Sequence, residues 1–167
     1  MGMDLIGFCY VGKPRLRFAP SKVPWSKACA KLTKKLRKYE NEPLEELDFE
    51  NSGEQRVYGA LASAAGFSGP SEATTNALVK KLTPKLVQEA LSKILLEFER
   101  VWNTGGDDYR RWMTRTAKVG RGELRIGVCA CESWGDAPDN DRLWQLCEEV
   151  SWMGEEVLSL KDALGVW

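Results

Sequence analysis

Four carboxylates, Glu132, Asp136, Asp139 and Asp141, fall within the ten-residue segment ESWGDAPDND. Oxygen donors at that density suit Mg2+ or Mn2+, and such an ion could support phosphoryl or nucleotidyl chemistry without histidine. That independence matters because the 167 residues include no histidine. Histidine general acid/base catalysis, Ser-His-Asp and Cys-His nucleophiles and HExxH metal sites are therefore excluded. The same loop has a purely structural use. Gly135, Pro138 and Asn140 are turn formers, Asp139 suits a helix N-cap, and Asp141 would complement the dipole of the helix that follows.

A second concentration of charge is cationic. Lys27, Lys31, Lys34, Lys35 and Lys38 lie mainly away from an apolar stripe of Trp25, Cys29, Leu32, Leu36 and Tyr39. A basic amphipathic helix can bind phosphates, an anionic membrane surface or an acidic protein. Nucleic acid bound this way would be held salt-dependently and with little sequence preference, since no helix-turn-helix or RRM signature accompanies the lysines. Alternatively, they form a solvated face that pairs with neighbouring acids. Those acids are close by: residues 13–38 hold ten basic residues and no acid, and residues 39–54 hold seven acids and no base. The balance of 24 basic and 24 acidic residues thus conceals strong segregation.

Aromatic and thiol side chains add two further candidates. Of seven tryptophans, Trp112, Trp134, Trp144, Trp152 and Trp167 fall in the last third, among acids. Trp134 and Trp152 are the two expected at an interface, where aromatic anchors carry much of the energy; the competing expectation is that most of the tryptophans pack on the long helix around residues 86–102. Cys9, Cys129 and Cys131 would share one region if their segments pair as strands, making a thiolate zinc site conceivable. Small apolar packing is the simpler use of such residues.

These groups need a frame. Asp4 to Val11 and Glu123 to Cys131 read as buried strands, and Arg15 to Phe18 as a short one. Helical spacing predicts helices over about 24–39, 55–65, 71–82, from Thr83-Pro84 to about 102, and from Asp139 or Asn140, with Gly154 as an interruption. The expected fold is α+β, a small sheet of strands near residues 4–11 and 123–131 packed against several helices, in one domain spanning 1–167. No secretory signal, lipidation motif or membrane-spanning stretch is evident, and five cysteines make an odd number, so a cytoplasmic, reduced chain is expected.

At the acidic loop a strand, then Ser133-Trp134-Gly135-Asp136-Ala137-Pro138, then a helix, resembles a local pattern of uncharacterised small bacterial and phage proteins. That resemblance is confined to a short stretch and implies no activity; the rest of the chain resembles no family, as is common for genes of phage or mobile-element origin. Asp107 or Asp108 followed by Glu123-Leu124-Arg125 also resembles the acid and Glu-x-Lys arrangement of metal-dependent nucleases, with Arg125 in the lysine position. Missing catalytic motifs and segregated charge favour a non-enzymatic protein-interaction module without a cofactor, its partner another protein or a second copy. The alternatives are a Mg2+- or Mn2+-dependent enzyme acting on phosphate esters or nucleotides through Glu132, Asp136, Asp139 and Asp141, and a nonspecific nucleic-acid binder using the basic helix.

Overall fold

The chain surrounding the lysine-rich segment is a set of helices whose apolar stripes face one another. The structure, a computed structural model, describes residues 17–69, 71–104, 140–159 and 163. Among them are five α-helices: α1 (Trp25–Leu36), α2 (Ser52–Ala64), α3 (Thr75–Lys81), α4 (Pro84–Thr104) and α5 (Asn140–Glu156). Single 3-10 turns occupy Pro20–Lys22 and Leu44–Glu46.

Local chemistry fixes most of the boundaries. Pro24, whose missing N–H costs nothing at a helix start, stands immediately before α1. The Asn51 side chain accepts from Gly53 N–H at 2.7 Å and opens α2. Thr74 does the same for α3 through Ala77 N–H at 3.2 Å, and Thr83 for α4 through Leu86 N–H at 3.1 Å. After α2 the chain turns at Gly66, whose φ of 91° is a left-handed conformation that glycine adopts without steric cost.

Each helix contributes one buried face. Ala28, Cys29, Leu32 and Leu36 of α1, Val57, Tyr58, Leu61 and Ala62 of α2, and Val87, Leu91, Leu95 and Phe98 of α4 enter a common core with Leu146, Val150 and Met153 of α5. There α2 lies against both α5 and α4, α5 against α4, and α1 against α4 and α3. At the α2–α5 crossing Gly53 abuts the backbone of Glu148, and a Cβ there would collide with the Glu148 carbonyl.

The α+β expectation is overturned. The described residues are mostly helical and contain no strand, only one isolated antiparallel bridge between Pro43 and Thr74. Physically, α2, α4 and α5 cover one another's apolar faces, so helix against helix supplies the burial assigned to a sheet. Strands expected near 4–11 and 123–131 fall outside the described residues, while Arg17 and Phe18, from the short strand expected over 15–18, belong to no regular element. Two smaller expectations change as well. α3 begins at Thr75 rather than at Ser71, and α5 runs through Gly154 without interruption.

Candidate functional site

Helical geometry divides the five lysines into two groups. Residues 27, 31 and 34 of α1, and 38 in the turn closing it, follow one another at intervals of four, three and four, which places them on one side of the helix. All four are exposed, opposite the face formed by Cys29, Leu32 and Leu36. Lys35 sits seven residues after buried Ala28 and so at the edge of that face, half-buried.

Lys35 is fully engaged. Its Nζ lies 3.1 Å from the Glu156 carboxylate and 3.9 Å from that of Glu54, and 5.3 Å from the centre of the Trp152 ring. Beneath it runs a row of aromatic rings. Tyr39 meets Phe49 edge-on at 6.2 Å, Phe49 stacks on Tyr58 at 5.4 Å, and Tyr58 tilts against Trp152 at 5.5 Å. The row links the end of α1, the following loop, α2 and α5.

This apolar floor changes how the adjacent groups ionise. Burial holds the Glu54 carboxyl above the usual carboxylate range; Lys35 opposes that shift, and Glu156 and Glu50 add to it. Tyr39 is raised by burial and by Glu54, with Lys35 again opposing. The Tyr58 phenol is raised chiefly by burial, then by Glu54, and its buried hydroxyl has no hydrogen-bond partner among the described residues. A shallow cleft of about 350 Å³ opens here, with Lys35, Lys38 and Tyr39 on its wall beside Asp48, Glu50 and Glu54.

The four exposed lysines differ from Lys35. Among the described residues, no carboxylate lies within 4.0 Å of the ammonium of Lys27, Lys31, Lys34 or Lys38. Pairing with the neighbouring acidic run is therefore realised, in the described residues, by Lys35 with Glu54 alone. The spacing carried the signal: Lys35 is the member of the group that falls three and seven positions after the buried Leu32 and Ala28.

Glu132, Asp136, Asp139 and Trp134 lie outside the described residues, as do Cys9, Cys129 and Cys131. Asp141 is in the first turn of α5. Among the described residues no group of three or more His, Cys, Asp or Glu side chains is arranged to hold a metal ion. Trp152, expected at an interface, is only 4% exposed, with its ring enclosed between Tyr58 and Lys35. It serves the interior. No described helix is long and apolar enough to cross a membrane. No family model, curated protein or solved structure matches the chain.

Proposed function

We propose that the chain is a non-enzymatic interaction module that docks an acidic protein surface on Lys27, Lys31, Lys34 and Lys38. The observation that carries this reading is the contrast along α1 and its closing turn: four cations project from the exposed side with no carboxylate within 4.0 Å among the described residues, while Lys35, next to Lys34 but at the edge of the buried face, is paired twice. Holding four like charges on one surface is mildly unfavourable for the isolated chain, and an anionic partner relieves that cost.

An extended polyanion is the poorer fit. Glu40, Glu42, Glu45, Glu46, Asp48 and Glu50 stand at or near the surface directly after α1, and they would repel phosphates tracking beyond the lysines. A protein patch of bounded extent avoids them.

Anisotropy of a labelled oligoglutamate peptide, compared with a labelled DNA duplex, tests the reading. The peptide should bind at low salt, and K31E/K34E should weaken it by at least about tenfold, as two attractions become repulsions. Peptide binding indifferent to K31E/K34E, or a clear preference for the duplex, would overturn it.

A further inference from the structure

The acidic surface that best matches the lysine stripe belongs to the chain itself, and we infer that a second copy of this chain is the partner. The inference rests on the interaction-module reading above and specifies its ligand. It begins with the residues that follow α1. Of the seven acids in 39–54, Glu54 is the one with an ion pair among the described residues. Glu40, Glu42, Glu45, Glu46 and Asp48 are exposed, as is Glu50.

This acidic segment is held in place. Leu44 and Leu47 are buried beneath it. Leu44 N–H donates to the Ala73 carbonyl at 2.8 Å, and Thr75 N–H donates to the Glu42 carbonyl at 3.0 Å. The fully buried Thr75 hydroxyl reaches the Glu40 carbonyl at 2.9 Å. With its backbone already held, the segment loses little main-chain freedom on meeting a partner, which favours docking.

The basic and acidic surfaces also share a border. The cleft that has Lys35 and Lys38 on its wall has Asp48 and Glu50 there too, so the acids begin where the stripe ends. From Lys38 the stripe extends back about 16 Å to Lys27, at 1.5 Å per helical residue. That span carries Lys27, Lys31 and Lys34 along α1 away from the cleft where Asp48 and Glu50 stand. A two-fold axis passing over the last turn of α1 would bring each stripe onto the other copy's acids, satisfying both sets twice in one isologous contact. Because the whole chain has a formal net charge of zero, no overall repulsion opposes the approach of two copies.

Sedimentation with a charge exchange tests this. Wild-type chain should be dimeric at low salt and monomeric near 1 M salt, where the Debye length is about 3 Å. K31E/K34E alone and D48K/E50K alone should each be monomeric, and their equimolar mixture should dimerise again. All four positions are exposed, and melting curves report whether the variants fold; K27E/K31E and E45K/E46K provide a second, overlapping pair. A wild-type monomer at low salt, a dimer that survives K31E/K34E, or a mixture that stays monomeric would overturn the inference. If wild type is monomeric yet still binds oligoglutamate through Lys31 and Lys34, self-pairing fails and the module reading stands. Loss of both results removes both.

Discussion

Arg56 on α2 and Lys31 on α1 carry the same charge in opposite circumstances. The Arg56 guanidinium is clamped by Glu148 and by Glu149, whose carboxylate is 3.2 Å away and 4% exposed. It also donates to the Gln145 carbonyl, and Ser52 donates to Glu148 at 2.9 Å. At this seam charge is part of the fold, since an enclosed carboxylate deprived of its cation is costly. On the outer face of α1 the cations are exposed, and packing would scarcely register their replacement. A charge that the fold does not use is available to a partner.

The contrast can be broken first at Arg56. Arg56→Met should destabilise the chain by about 2 to 3 kcal/mol, near the lower end for a buried pair because the arginine itself is partly exposed. Chemical denaturation would show it as a lower midpoint with an unchanged slope. Gly53→Ala forces a methyl group into the Glu148 backbone and should cost about 1 to 3 kcal/mol, as overpacking does. Asn51→Ala, which removes the α2 cap without touching α5, should cost about 1 kcal/mol. Comparing the last two separates helix initiation from helix contact.

Glu54 lies between the two regimes, and the pH dependence of stability reads out its position. Its folded-state carboxyl is raised above the ordinary value, so the native state retains a proton that the unfolded chain has already released. Stability from this group is present below the unfolded value and is lost as pH rises through the folded one. Glu54→Gln should therefore be slightly more stable than wild type at neutral pH, with the difference closing near pH 4. Denaturation midpoints at the two pH values would check it, and a gap that widens in acid would contradict the assignment. The smallest effect is expected for K31E/K34E near 1 M salt, where wild type is monomeric too: its stability there should differ from wild type by no more than about 0.5 kcal/mol.

The elements that local chemistry determines were legible in the sequence, and those decided by distant contacts were not. The apolar spacing of Cys29, Leu32 and Leu36 and the Thr83-Pro84 start place α1 and α4 and fix where each begins, although α1 stops at Leu36, short of the expected 39, and α4 continues to Thr104. Ser71 and Thr74 are both competent caps; Thr74 prevails because buried Ala73 holds Leu44 N–H through its carbonyl. Gly53 precedes the helix expected over 55–65, yet it is inside α2, and its missing side chain admits α5. No local pattern announces that Arg56 meets residues more than 85 positions away. Fold class depended on such encounters, so two apolar segments near the ends of the chain suggested a sheet while the described core is built from helix faces. At the candidate site the lysine stripe was visible from spacing, whereas the enclosure of Trp152 by Tyr58 and Lys35 required α2 and α5 to meet.

The α2–α5 seam has a consequence for the order in which the molecule is made. Val57, Tyr58 and Leu61 emerge during synthesis well before residues 140–156, which cover them. At about 5 to 20 residues per second, the face of α2 waits roughly 5 to 20 s for α5. During that interval the exposed aromatic and aliphatic surface is open to chaperones and to neighbouring nascent chains. Arrival of α5 closes the core and installs the two glutamates around Arg56 in the same event.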